Sequence, residues 1–310
     1  MMDSHPRLKQ LVILSGKGGT GKTTLAAALV QLASKSAFPT VFVDADVDAA
    51  NLALVTNAKT EEAHPFTSST LAVIDKTACS LCGNCFDVCR YDAIHPPHDG
   101  QSGYQVVELL CDGCAACVHC CPEKAIEMIP QQDGEWYRSS TPYGVQFHAE
   151  LFPAAENTGK LVTLIKQHAK LHAEDHKIPL MIVDGPPGIG CPVISASAGA
   201  DLALLAAEPG VSGVHDLGRI IQTLTHFKIP SMICINKADI SSEGTTAIHE
   251  LAAGYGYPVV GEIPFDPAIP QAMVAGQPVT QYSPDAPASE AVQRIWKAVL
   301  KAMFPEGVSR

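Results

Sequence analysis

The stretch Leu11-Val12-Ile13-Leu14-Ser15-Gly16-Lys17-Gly18-Gly19-Thr20-Gly21-Lys22-Thr23-Thr24 decides how the rest of the chain is read. Its four leading apolar residues predict a buried strand, the glycine-rich run predicts a loop, and Leu25–Leu32 has the Ala-rich spacing of a helix. Gly16 to Thr23 fits G-x-x-x-x-G-K-[ST], the pattern of a phosphate-binding loop. Gly16, Gly18, Gly19, Thr20 and Gly21 are small enough to let successive backbone N–H groups turn inward round phosphate oxygens. They do so at a helix N-terminus, where the dipole also favours negative charge. In such a loop Lys22 reaches the β- and γ-phosphates and the Thr23 hydroxyl holds Mg²⁺, with Thr24 in the same nucleotide-binding set. A glycine-rich connection without a ligand is the alternative, and the flanking strand and helix weigh against it.

Working outward, further short β-rich runs lie at Thr40–Val43, Leu180–Val183, Leu202–Leu205 and Met232–Ile235. Val214–His226, Gly244–Ala253 and Glu290–Ala302 read as helices, so the fold class is α/β, a mostly parallel twisted sheet flanked by helices. Between residues 58 and 140 the texture changes, with clustered cysteines, Pro96-Pro97, Asp99-Gly100 and Asp133-Gly134 and no long helical period. That region is read as an insertion, leaving 1–57 and 141–310 as the principal domain.

The 310 residues carry 21 Lys+Arg against 32 Asp+Glu, a formal charge of −11 that excludes a generic nucleic-acid binder. Hydrophobic residues at 46% and charged residues at 17% support a full core rather than disorder. No apolar run reaches the ~18 residues of a membrane span, and the start Met1-Met2-Asp3-Ser4-His5-Pro6-Arg7 lacks the apolar core of a signal peptide. The expectation is a cytoplasmic protein without membrane insertion or nucleic-acid partner. Nine of the eleven cysteines fall between Cys79 and Cys121, which in that setting reads as metal ligation.

Cys79-x-x-Cys82-x-x-Cys85-x-x-x-Cys89 recurs 32 positions later as Cys111-x-x-Cys114-x-x-Cys117-x-x-x-Cys121-Pro122, and Asp92-Ala93-Ile94 recurs as Lys124-Ala125-Ile126. Both copies are similar to the bacterial ferredoxin run, in which the fourth cysteine ligates the other cluster. That resemblance assigns Cys79, Cys82, Cys85 and Cys121 to one [4Fe–4S] cluster and Cys111, Cys114, Cys117 and Cys89 to a second. Zinc is the competing metal, disfavoured by the third cysteine and the 2-2-3 spacing. Arg90 stands where the usual run has proline, and Cys120 is expected to be a small buried residue beside the ligand Cys121. The module reads as an electron relay, with a structural brace as the other possibility.

Lys17, inside the loop, resembles the signature lysine of the deviant Walker A motif K-G-G-x-G-K-[ST] of the MinD, ParA, Mrp and nitrogenase iron protein class. The resemblance implies a SIMIBI-type P-loop NTPase in which this lysine contacts phosphates across a homodimer, or a heterodimer with a paralogue. Val41-Phe42-Val43-Asp44-Ala45-Asp46 and Asn51 look like switch I of that class, with Asp46 orienting the attacking water and Asp44 supporting the Mg²⁺ site. Ile182-Val183-Asp184-Gly185-Pro186-Pro187-Gly188 resembles the Walker B strand entering switch II, with Asp184 reaching Mg²⁺ through water and the Gly188 amide sensing the γ-phosphate. Asn236 would read the adenine edge and Ile263-Pro264-Phe265 would pack beside the base. Taken singly, each carboxylate is also an ordinary strand-end residue. Glu156–Val162 and Glu208–Leu217 resemble segments of the same group with no role assignable from chemistry.

Cys191 lies seven positions after Asp184, the offset of the cluster-bridging cysteine in the nitrogenase iron protein. The plainer reading is a small residue packed behind the Pro187-Gly188 turn. Cys234 falls in a buried strand, and His168, His172 and His176 are expected on an exposed face of a charged helix from Lys160. The combination points to an Mg²⁺-dependent ATPase whose dimer state gates electron flow through two [4Fe–4S] clusters to a redox partner. The alternative is an Mrp-like carrier delivering clusters to client proteins, although no cysteine follows Cys234. MinD-like membrane positioning is disfavoured by a C-terminus, Pro305–Arg310, without a basic apolar face.

Overall fold

Strand β1 (Lys9–Ser15) is buried from Gln10 onward, as a near-continuous apolar run must be when helices cover both sheet faces. It pairs in parallel with β8 (Leu180–Pro187) on one side and β9 (Leu202–Ala207) on the other. Beyond β8 lie β2 (Thr40–Asp44) and β7 (Gly144–Leu151), and beyond β9 lie β10 (Ser231–Asn236) and β11 (Val259–Ile263), all in parallel. With β6 (Ile126–Thr141) and β3 (Lys59–Ile74), the nine-stranded order is β11-β10-β9-β1-β8-β2-β7-β6-β3. The computed structural model that gives this order describes residues 7–98, 103–153 and 155–305. The first six residues of the start read for a leader, Asp99-Gly100 and the chain after Pro305 lie outside the described residues.

The chain leaves β1 for β2 on one side of the sheet and β8 for β9 across β1, so the connection reverses at the C-terminal end of β1. Open α/β sheets bind ligands at such a crevice, and the glycine loop occupies it. Helices Lys22–Lys35 and Pro287–Met303 bury Leu25, Leu29, Ile295 and Val299 against Leu11, Ile13, Ile182 and Leu204. Each fully buried leucine or isoleucine contributes about 1.5–3 kcal/mol relative to exposure.

The chain divides into two compact units. One comprises the chain up to His64, Trp136–Glu150 and everything from Thr158; the other comprises Pro65–Glu135 and Leu151–Asn157. Against the anticipated 58–140, the smaller unit begins later and adds a return segment. The two sixteen-residue strands β3 and β6 were not foreseen. Pro65 lies within β3, which tolerates it as the last strand of the sheet, and Lys59, Glu61 and Glu62 are charges typical of such an edge.

The smaller unit repeats in conformation as it does in sequence. Helices Asn84–Val88 and Ala116–Cys120 follow left-handed residues Gly83 (φ 84°) and Ala115 (φ 60°). Leu81 (φ 61°) matches Gly113 (φ 74°), and Asp92 (φ 52°) matches Lys124 (φ 51°), each pair 32 positions apart. Ala72, Cys85, Ile94, Cys117 and Ile126 form its core, and β4 (Ile94–His95) pairs antiparallel with β5 (Gln105–Val106).

Candidate functional site

Gly19 (φ 75°) and Gly21 (φ 91°) give the loop its left-handed turns, which side chains rarely adopt. The Ser15 hydroxyl donates to the Lys17 carbonyl at 2.6 Å, and helix Lys22–Lys35 starts on Gly21 with no side-chain cap. A Cβ on Gly16 would lie 2.5 Å from the Asp216 backbone, and one on Gly21 would strike the Asn236 amide nitrogen. Both positions therefore exclude alanine. Gly18 carries no such packing limit.

Asp44 closes β2 and Asp184 lies in β8 as its direct register partner. Both are about 1% exposed. Asp44 accepts the N–H groups of Leu52 at 2.9 Å and Asp46 at 3.2 Å. Burial and the neighbouring Asp184 charge push its pKa well above the usual carboxylate range. Asp184 is likewise raised by burial, with the Thr23 hydroxyl and Lys22 offsetting part of the rise. Neither Asp184 oxygen has a partner within full hydrogen-bond geometry. Two desolvated carboxylates, of which Asp184 is unpartnered and near Thr23 and Lys22, form a hard-oxygen donor set that fits Mg²⁺. Half-buried Asp46 faces Lys22, and desolvation lifts its carboxyl too. A raised carboxyl suits a group that orients water and accepts its proton.

Three contacts at this site were not anticipated from the sequence. The Lys17 ammonium lies 3.3 Å from Glu208 and 3.2 Å from the Ser212 hydroxyl, and Lys237 meets the other Glu208 oxygen at 2.8 Å. These two cations hold the Glu208 carboxyl below its ordinary value. The Gly188 N–H donates to the Ser15 carbonyl at 3.0 Å, which ties the turn after β8 to the end of the loop strand. Asn236 spends one amide hydrogen on the Thr20 carbonyl at 2.8 Å, bracing the loop. Glu208 was missed as a site residue because its segment was recognised only by resemblance.

A cavity of about 270 Å³ opens beside the loop, walled by Gly19, Thr20, Gly21 and Thr24 and by apolar Leu25, Cys234, Ile263 and Val292. Asn236 lines it, with Phe265 and Met273 exposed at the rim. Pro264 does not line it. Alternation past the end of β11 turns Ile263 and Phe265 to one side and Pro264 to the other. A larger cavity, about 570 Å³, lies at the N-terminal ends of β1 and β8, away from the loop and its carboxylates.

In the smaller unit the eight run cysteines separate into two groups. Cys79, Cys82, Cys85 and Cys121 line one cavity, with Gly83 and Tyr104; Cys89, Cys111, Cys114 and Cys117 line the other, with Tyr91 and Met128. Each draws three cysteines from one copy and the fourth from the other. All are free thiols, and burial pushes Cys85 up to about 11. Among the described residues no group of three or more His, Cys, Asp or Glu side chains is placed to hold a single metal ion. A soft, all-sulfur set of four thiols round a cavity fits an iron–sulfur cluster. Cys120 is half-buried rather than buried, its thiol turned to the Cys117 carbonyl at 3.4 Å.

Cys234 is fully buried, as expected of a core position. Cys191 is exposed at the start of helix Cys191–Ser197, not packed behind the turn. His168 and His172 are half-buried, which corrects the exposed face: Trp136 stacks between His64 and His168 at 4.2 Å on each side, and His172 stacks on His176 at 4.1 Å. The partners come from strands β3 and β6, which the sequence reading did not anticipate.

Residues 11–279 match the CobQ/CobB/MinD/ParA nucleotide binding domain. An uncharacterized Methanocaldococcus jannaschii protein is 32% identical over 270 residues, 87% of this chain and 89% of that one. The iron–sulfur cluster carrier protein of Pyrococcus horikoshii is 23% identical over 300 residues, 92% of this chain and 83% of that one. Among solved structures, the septum site-determining protein MinD of Pyrococcus horikoshii, complexed with Mg-ADP, superposes with a TM-score of 0.60 at 18% identity. That match covers 97% of this chain and 100% of the other. No helix among the described residues is long and apolar enough to cross a membrane.

Proposed function

The chain belongs to the CobQ/CobB/MinD/ParA nucleotide-binding family, and on that premise we propose that it is an Mg²⁺-dependent ATPase whose nucleotide state governs electron transfer through two [4Fe–4S] clusters. The loop amides from Gly16 to Gly21 and Lys22 hold the triphosphate, and the base enters the cavity beneath Asn236. Thr23 and Asp184 would hold Mg²⁺, with Asp44 supporting them, and the ion would supply charge stabilisation for phosphoryl transfer. Asp46 orients water for attack on the γ-phosphate. Lys17 leaves Glu208 to reach the phosphates of a partner subunit, which makes binding a dimerisation switch.

The observation that carries the iron–sulfur half of this reading is the sorting of eight cysteines round two cavities, four to each. Clusters held by thiolates supply one-electron transfer, generally at low potential. Cys79, Cys82, Cys85 and Cys121 would hold one, and Cys89, Cys111, Cys114 and Cys117 the other. Anaerobic purification followed by iron and sulfide analysis should give about eight irons per chain. Reduction with and without Mg·ATP, followed by EPR, should then show a nucleotide-dependent change in signal or potential. Iron-free protein after reconstitution would end the reading.

The similarity to proteins named iron–sulfur cluster carrier supports a second reading, delivery of a cluster to a client protein. Transfer of iron and sulfide to an apo-ferredoxin on ATP addition, with no effect of ATP on potential, would favour it.

A further inference from the structure

Helix Cys191–Ser197 follows β8, which carries Asp184, and the turn at Gly188, and its far end is gripped by a buried ammonium, with Gln10 Nε2 also donating to the Ala196 carbonyl at 3.2 Å. Lys166, 7% exposed, donates from Nζ to the carbonyls of Ser195, Ala196 and Ala198 at 2.8, 2.6 and 2.8 Å. These are the terminal carbonyls that a helix leaves without internal partners, and a cation there also opposes the helix dipole. Lys166 belongs to helix Thr158–Asp175. At that helix's start, a Cβ on Gly159 would lie 3.1 Å from the Ser195 hydroxyl, so the two helices are fitted together at two places. Asn157, left-handed at φ 73°, precedes the helix and is the last residue of the cysteine-bearing unit's return segment.

We propose that Lys166 is a positioning residue that locks the helix after the Gly188 turn to helix Thr158–Asp175, so that movement of one is delivered to the other and, along the chain through Asn157, to the cysteine-bearing unit. The inference rests on the ATPase reading above and names the element that carries its signal. It also gives a role to the Glu156–Val162 segment: Gly159 is small so that the helices can approach, and Asn157 makes the turn into them. Three carbonyl acceptors meet the polar requirement of a buried ammonium, so the contact holds without a carboxylate. A methionine retains the apolar stem and loses the grip, whereas an arginine retains donors in reach of the same carbonyls.

The test is deuterium exchange on the full, anaerobically reconstituted chain with Mg·ATP and with Mg·ADP. Wild type is expected to differ between the two nucleotides both in residues 158–175 and in the cysteine-bearing segment. Lys166→Met should bind ATP within about twofold of wild type yet show the cysteine-segment difference reduced at least about fivefold, and Lys166→Arg should restore it. A merely structural role would lower global stability in Lys166→Met and leave that nucleotide-dependent difference in place, which overturns the inference. If Lys166→Met does not fold, Gly159→Val tests the same joint, and a difference that survives it overturns the inference equally. Wild type that binds ATP without any difference overturns this inference and the coupling proposed above together. Loss of the difference in Lys166→Met alone supports both.

Discussion

Asp44 and Asp184 face each other as register partners on adjacent parallel strands, both out of contact with water. Their folded pKa values lie above the unfolded ones, so the native state binds more protons here than the unfolded chain does. In metal-free protein their stabilising contribution is therefore fully present below the unfolded carboxylate value and is lost as pH rises through the raised one. Thermal unfolding in EDTA should show a Tm that falls from about pH 4 upward, and Mg²⁺ with nucleotide should flatten the fall. Asp184→Asn should flatten it without metal and lower ATP hydrolysis by about a hundredfold or more. A pH profile identical in wild type and Asp184→Asn would remove the carboxylate pair as its cause.

Glu208 stands between Lys17 and Lys237, and its side chain is 17% exposed. A partly exposed pair of this kind is worth at most about 1 kcal/mol. Glu208→Gln should accordingly release Lys17 and lower the protein concentration for ATP-dependent dimerisation by about threefold to fivefold. Lys17→Ala should abolish that dimerisation while leaving Mg·ADP binding in place. Sedimentation equilibrium of both variants checks the pair of outcomes.

Cys120 and Cys121 are neighbours, yet only Cys121 lines a cysteine cavity. Cys121→Ser should cost one site, about four irons per chain, and Cys120→Ser should keep the full content. Iron and sulfide analysis after anaerobic reconstitution decides between them.

Phe265 is 57% exposed at the mouth of the cavity beside the loop, its N–H fixed by Asp239 at 2.7 Å. Stacking on a purine should cover it. Phe265→Ala is expected to raise the KM for ATP by about tenfold, in line with the 1–3 kcal/mol typical of base stacking, with kcat nearly unchanged. Pro264→Ala, which lies off the cavity, should change neither by more than about twofold.

The glycine loop was legible from its spacing, and β1, β2, β8, β9 and β10 because each is a short, mostly apolar run with both faces covered. Strand β11 was not, since Val259-Val260-Gly261 is only half-buried and interrupted by glycine. Strands β3 and β6 were hidden for a different reason: Glu61, Glu62, Pro65 and Pro130 break the alternation by which a half-buried strand is recognised. Without those strands the histidines of helix Thr158–Asp175 had no visible partner. The cysteine spacing was legible as a repeat, but it cannot show the left-handed turns at Leu81, Gly83, Gly113 and Ala115 that let each copy curl. Glu208 and Lys166 act on groups about 190 and 30 positions away, contacts that no local pattern encodes.

The exchange of fourth cysteines between copies has a consequence for how this unit comes to maturity. Neither half can complete its own set, since Cys89 serves the later triad and Cys121 the earlier one. A nascent chain stopped short of Cys121 therefore presents only three thiols to its first site. Under the cluster reading proposed above, filling waits until both repeats have emerged, and damage to either fourth thiol is felt by the opposite copy.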